Sequence, residues 1–526
     1  MRVAVDLERL LSRGFLPKEY PPPFNTESFA HYATTRSITP VPARGQHRLT
    51  TTPAIHNLAR PGGSRRRLHI PNPFSYLRVA QLLTKNWAQI DRQCQSPFSV
   101  STPSADPSGL RALRPRVEGT DLVVERARVR SSAKFCLRTD IARFYGSIYT
   151  HSIPWAFHGK AVAKRSRRGG FANDLDEALR DMQDGQTLGI PVGPDASLVV
   201  AEIVTSTIDR DLHHAGLRGF RFMDDYEFGF ATRSAAEAAL ATMEDVLARF
   251  ELAVNLRKTS IDQLPIELDR PWIAEIRTYP IDYLHSRNLL VAFFNRVFEL
   301  KQRFPHDPVL AYAVSRLRSV RGPIALWSTL RGILSQCALA EPGAMASFVT
   351  LLQERSGKGT SEVIDSVIQA VLEHQTDLSH GSELAWALWA AIWFKRKIPA
   401  ALAKRLDGNP DPAVALLTLC ARANGLIRGN VQFPKWQAML TPESLYGPMW
   451  LLTYEADVQG WLKPPKRGIV TRDSNFGPLR RKGVSFFDQA VKAPTQTLLL
   501  GAAATTLGIY GEGDESEDED DAEDEE

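Results

Sequence analysis

The segment Gly219–Phe230, GFRFMDDYEFGF, constrains this chain more than any other, because two runs of alternating aromatics flank an acidic pair. Phe220 and Phe222 on one side, and Tyr226, Phe228 and Phe230 on the other, recur at every second residue, the period of half-buried β-strands. Asp224 and Asp225 fall where the chain must reverse, so a hairpin would carry both carboxylates at its tip. A third acid, Asp140, ends another alternating run, Phe135, Leu137 and Thr139. If these strands are neighbours, three carboxylates meet at one sheet edge, which is unfavourable without cations. Two Mg²⁺ ions about 4 Å apart, or Mn²⁺ in their place, would neutralise the cluster, because hard divalent cations take carboxylate oxygen. An Asp-Asp pair alone is most often a solvated turn; the surrounding segments give this one its weight.

Between the acidic sites lies GQTLGIPVGPDAS, where Gly189, Pro191, Gly193 and Pro194 let the backbone approach a flat partner closely, followed by a helical run from Ser197 to about Arg210. After the hairpin come a helical stretch, Ser234 to Phe250, and LAVNLRKTSI, whose Lys258 is suited to stabilising a departing anion. Upstream, SRRRLHIPNP reads as a turn, a basic strand carrying Arg65, Arg66 and Arg67, and a stop; SYLRVAQLLTKNWAQI reads as an amphipathic helix. LVVERARVR reads as a strand with Arg126, Arg128 and Arg130 on one face, and KAVAKRSRRGG as a basic loop.

In this order the motifs resemble those of the reverse transcriptases. DIARFY is similar to their motif A, QTLGIPVGPDAS to motif B, FMDD to the aromatic-x-Asp-Asp box of motif C and NLRKT to motif D, over roughly residues 60 to 265. FYGSIYTHSIPWAFHGK and HIPNPFSYLRVAQLLTKNW resemble one branch in particular, the bacterial abortive-infection and other phage-defence enzymes. The resemblance implies an α+β right-hand polymerase, fingers and palm, making single-stranded DNA from dNTPs by two-metal nucleotidyl transfer in cytoplasmic antiviral defence. In some relatives synthesis has no template and a protein tyrosine as primer; a template or structural RNA, and trimers or hexamers, are the other expected partners.

Carried over residue by residue, the resemblance has Asp140 and Asp224 binding metal, Asp225 as the third acid and Lys258 assisting pyrophosphate departure. Tyr145, with Ile141 near it, would lie under the sugar and exclude a 2′-hydroxyl. Gln186, Gly189 and Pro191 would seat nucleotide and template, while Arg126, Arg128 and the Arg65–Arg67 strand approach the triphosphate or template backbone. The chain departs from the family in Phe222-Met223, where tyrosine followed by alanine or valine is commoner. The alternatives are a retron-like or intron-encoded RNA-templated enzyme and, in a different class, a catalytically silent nucleic-acid-binding scaffold. The lack of a Cys/His zinc tail and the long helical C-terminal region weigh against the intron type, the length beyond the thumb weighs against the retron type, and the intact acids weigh against the scaffold.

The organisation expected for the 526 residues is an N-terminal extension (1–60), the fingers and palm (61–270), an all-α HEAT-like repeat region (271–511) and a disordered acidic tail (512–526). The net charge of +5 hides an asymmetry: the tail has no lysine or arginine, and the rest of the chain sets 64 basic residues against 47 acidic ones. Such a body suits nucleic acid, whose phosphates attract it without regard to sequence. The tail has the charge to mimic nucleic acid and fill a basic channel. Cys94, Cys136, Cys337 and Cys420 show no metal spacing and read as reduced thiols; no apolar run predicts export or membrane insertion. Trp386, Trp389 and Trp393 share one helix face, which predicts helix packing before base stacking. Candidate priming tyrosines include Tyr279, Tyr283, Tyr446 and Tyr454.

Overall fold

The computed structural model describes residues 5–42, 47–116, 122–281, 286–320, 327–355 and 360–490. It is a mixed α+β structure with small sheets and many helices. The acidic tail and Tyr283 lie outside the described residues.

Two short helices open the chain, α1 (Leu7–Arg13) and α2 (Glu27–Thr34). The hairpin β1 (Ala54–Ala59) and β2 (Arg65–Ile70) follows, then α3 (Pro73–Lys85) and α4 (Trp87–Gln93). Helix α3 starts where Asn72 caps the Phe74 N–H and Pro73 takes the first turn, a position where its missing donor costs nothing. A small hairpin, β3 (Pro103–Ala105) and β4 (Leu113–Pro115), precedes α5 (Leu122–Arg130).

The central sheet holds β5 (Phe135–Asp140), β6 (Gly219–Phe222), β7 (Asp225–Phe230) and β8 (Ser260–Gln263), in the antiparallel order β6-β7-β5-β8. Between β5 and β6 come α6 (Phe144–Ser147), α7 (Ser152–His158), α8 (Lys160–Arg165), α9 (Phe171–Asp181) and α10 (Asp195–His214); α11 (Arg233–Arg249) joins β7 to β8. Strand alternation sends Leu137, Tyr226 and Phe228 into the core on the side where α11 packs. The opposite side carries Phe220, Phe222, Asp225, Glu227 and Asp140, partly covered by α5. There Gly229 lets α5 approach so closely that a Cβ would stand 2.5 Å from the Val129 carbonyl oxygen.

Two local expectations are corrected. LVVERARVR is the helix α5, not a strand, because its glutamate and arginines are good helix formers and burial of one helical face outweighs the β preference of the valines. Its three arginines therefore do not all share a face: Arg126 and Arg130, four apart, both reach Glu227, whereas Arg128 is exposed and pairs with Glu125. KAVAKRSRRGG is helical through Lys160–Arg165 before its turn, with only Ala163 buried.

From Pro271–Thr278 onward the elements among the described residues are helices. The helices Val309–Arg316, Met345–Glu354, Gly381–Trp393, Pro412–Ala423 and Trp450–Val458 form a row, each packed on the next. Trp386 and Trp389 are buried in it, and the Trp386 indole N–H donates to the Glu19 carbonyl. The main hydrophobic core runs from Val5 to Phe487, and a smaller one gathers Val100, Leu122, Phe220 and Phe222. Around the β1–β2 hairpin, Arg65 pairs with Glu383, His56 with Asp411, and the Trp450 indole donates to the Ile70 carbonyl.

Candidate active site

The register of β5 and β7 places Asp140 directly opposite Asp225. Asp224 occupies the tight turn between β6 and β7, and its carbonyl accepts from the Ile141 N–H at 3.3 Å. The carboxylates of Asp140 and Asp224 are buried, and Asp225 is half-buried. Burial, and then the neighbouring Asp140, raises the Asp224 pKa to about 6; burial and both other acids push Asp225 well above the usual carboxylate range. Asp140 is also raised by burial, with Lys258 opposing: the ammonium donates to Oδ2 at 2.5 Å. Lys258 sits in a short 3₁₀ turn, Leu256–Lys258, whose position is fixed by the Asn255 N–H donating to the Asp140 carbonyl.

Among the described residues no three His, Cys, Asp or Glu side chains converge closely enough, as they stand, to hold an ion together. The donor chemistry nevertheless fits a hard divalent cation. Asp140 Oδ1 is buried without a hydrogen-bond partner among the described residues, and the repulsion among three partly desolvated carboxylates is the kind that a cation relieves.

Tyr145 lies on α6, beside this cluster. Burial, and then Asp224, raises its phenol pKa, so the hydroxyl stays protonated. The Tyr145 carbonyl accepts from the Ile190 N–H at 2.8 Å, and the Ile148 carbonyl from the Gly189 N–H at 2.9 Å, which joins the Gly/Pro loop to α6. Gly189 has φ of +84°, and a Cβ would meet the Gly146 carbonyl oxygen at 3.0 Å, so only glycine fits. Pro191 is buried, its carbonyl accepting from Ser197; Gln186 is exposed, and Ile141 is buried under the turn.

The structure thus brings together Asp140, Asp224, Asp225, Lys258, Ile141, Tyr145, Gly189 and Pro191. Arg126 is committed to Glu227 and the Leu268 carbonyl, and Arg128 points to solvent. Tyr446 and Tyr454 donate to Asp473 and to the Val484 carbonyl in the helical region.

Sequence reading missed His69, which fixes the loop from the other side. Its N–H donates to the Val192 carbonyl at 2.7 Å, and its Nδ1 accepts from the Val192 N–H at 3.1 Å. Burial, then Arg67, lowers its pKa to about 4, so the ring is neutral and able to accept. Arg66, next on β2, is close enough to feel both Tyr145 and Asp224. Of the three arginines expected to approach the triphosphate or template backbone, Arg66 is the one that feels the acidic cluster, whereas Arg65 pairs with Glu383.

No family model matches the chain, and no curated protein matches it. Among solved structures, a telomerase from Candida albicans in complex with a fragment of telomeric RNA is similar at 10% identity and a TM-score of 0.29. The match covers 66% of this chain and 65% of that one, so the chain spans less than two thirds of that protein's length.

Proposed function

We propose that this protein is a nucleotidyltransferase of the reverse-transcriptase kind, joining dNTPs into DNA at the Asp140–Asp224–Asp225 cluster. The observation that carries the reading is the cross-strand pairing of Asp140 with Asp225, with Asp224 on the adjoining turn and Lys258 on Asp140. Four segments far apart in sequence, the ones that resemble motifs A to D, supply one small site.

Asp140 and Asp224 would hold Mg²⁺, with Asp225 behind them; the ion supplies the charge that makes a 3′-hydroxyl nucleophilic and screens departing pyrophosphate. The chain's own residues do the rest. The Gly189–Pro191 turn, tied to α6 and to β2, gives the base a rigid floor. Tyr145 would lie under the sugar, where its ring would exclude a 2′-hydroxyl. Lys258 holds Asp140 ionised until substrate enters and then has a proton to give the leaving group. The hydroxyl loses its proton to water and attacks the α-phosphorus in line, the P–O bond to pyrophosphate breaks, and the nucleotide is added with one pyrophosphate released. The body, with its excess of lysine and arginine, provides the electrostatic attraction for the strand.

The palm reading extends to fingers built from the β1–β2 hairpin and α3, and to the row of C-terminal helices as a HEAT-like stack. The resemblance of FYGSIYTHSIPWAFHGK to phage-defence enzymes supports a role in abortive infection, with synthesis that needs no template and starts on a tyrosine. The test is incorporation of each labelled dNTP by purified protein with Mg²⁺, with and without RNA, resolved before and after protease. Product that needs no RNA and shifts on proteolysis supports the defence-type reaction. Product that forms only with RNA supports a templated, retron-like enzyme, and none at all removes the polymerase reading.

A further inference from the structure

Arg221 is the one guanidinium on β6, and it is fully buried beneath the acidic turn. A buried charge persists only if it is paired and its donors are satisfied. Arg221 meets this with two acids of α10: Nε and Nη2 donate to Asp209 at 3.0 and 2.7 Å, and Nη1 and Nη2 to Glu202 at 3.1 Å each. Both acids are held in turn, Asp209 accepting from the Tyr226 hydroxyl at 2.8 Å and from Ser96 at 2.5 Å, and Glu202 from Ser206 at 3.2 Å. The fork makes one further hydrogen bond, in which Nη1 donates to the carbonyl of Met223 at 2.6 Å.

Met223 immediately precedes Asp224 and has φ of +57°, the left-handed region that a bulky side chain avoids. Its other backbone group is also clamped: the Met223 N–H donates to the Ser101 hydroxyl at 2.7 Å. Ser101 is itself buried and belongs to the segment before β3, more than a hundred residues away. Two buried side chains from separate parts of the chain therefore hold the peptide groups on both sides of one strained residue, and the next residue is the acid.

We propose that Arg221 and Ser101 are positioning residues that hold the Met223–Asp224 turn in its left-handed form and so set the Asp224 carboxylate against Asp140. The inference rests on the nucleotidyltransferase reading but carries a consequence of its own, the affinity of the acidic cluster for a divalent cation. Neither residue needs to touch substrate.

The experiment compares wild type, Ser101→Ala, Ser101→Thr and Arg221→Lys in the full chain. Two quantities are measured: steady-state dNTP incorporation with Mg²⁺, and binding of Mn²⁺ alone followed by electron paramagnetic resonance. Ser101→Ala removes one hydrogen bond without exposing a charge, so it folds; kcat and Mn²⁺ affinity fall, each by roughly tenfold, with KM for dNTP unchanged. Ser101→Thr, which keeps the hydroxyl, restores both. Arg221→Lys keeps the charge but cannot reach Asp209, Glu202 and the Met223 carbonyl together, and loses more. A Ser101→Ala protein with wild-type kcat and wild-type Mn²⁺ affinity overturns the proposal, as does a wild type that binds no Mn²⁺. A wild type that binds Mn²⁺ in a Ser101-dependent way yet incorporates no dNTP leaves positioning intact and removes the polymerase reading.

Discussion

Replacing Asp224 by asparagine should stabilise the fold at neutral pH while abolishing its chemistry. The folded protein raises the Asp224 pKa from 3.8 to about 6, through burial and the repulsion of Asp140. Each tenfold change in proton affinity is worth about 1.4 kcal/mol, so keeping this carboxylate ionised costs the fold on the order of 3 kcal/mol. The folded state binds this proton more tightly than the unfolded one, so the contribution of Asp224 to stability is most favourable below about pH 4 and is lost as pH rises through 6. Asparagine cannot ionise and escapes that loss. The assay is denaturant unfolding of wild type and Asp224→Asn, in chelator to keep divalent cations away, at pH 7.5 and again at pH 4.5. The variant should be more stable at pH 7.5 by up to about 3 kcal/mol, a gain of a few degrees in Tm for a chain of this size, and the advantage should shrink at pH 4.5. A variant no more stable than wild type at pH 7.5, or an advantage independent of pH, would refute the reasoning that the acids are held together against their own repulsion.

Further outcomes follow from the same geometry. Lys258→Met removes the cation on Asp140 and should lower dNTP incorporation by about tenfold or more, measured as kcat at saturating nucleotide. Incorporation in wild type should also decline at acidic pH, where protons compete with Mg²⁺ for Asp224, whose pKa burial and Asp140 raise; a flat profile between pH 5 and 8 would contradict this. Tyr145→Ala should narrow the preference for dNTP over rNTP by roughly tenfold or more in kcat/KM, read in competition. Gly189→Ala forces a Cβ onto the Gly146 carbonyl at positive φ and should destabilise the protein by about 1–2 kcal/mol, read by denaturant midpoint.

The central hairpin was legible because its aromatics alternate and its acids sit between two such runs; short-range chemistry alone sets that pattern. The Gly189 turn was legible for the same reason, since its glycine and proline spacing leaves few conformations. Helix α5 was misread because Val123 and Val124 and the alternating arginines imitate a strand. The contrary signal was the four-residue spacing of Arg126 and Arg130, but its meaning depends on Glu227, which lies about a hundred residues downstream. Arg221 gave no signal at all: an arginine alternating with Phe220 and Phe222 looks like the solvated side of a strand. Only the packing of α10 across that side supplies Glu202 and Asp209 and turns it into a buried clamp. His69 was hidden likewise, since its partner Val192 is brought to it by tertiary contact alone.

The most direct test of the central claim is incorporation of labelled dNTP into acid-insoluble product by purified wild-type protein and by Asp140→Asn, side by side, with Mg²⁺ and then with chelator. The account predicts product from wild type with Mg²⁺ only and none from a folded Asp140→Asn protein. Synthesis that survives the loss of Asp140, or that proceeds unchanged in chelator, would contradict it.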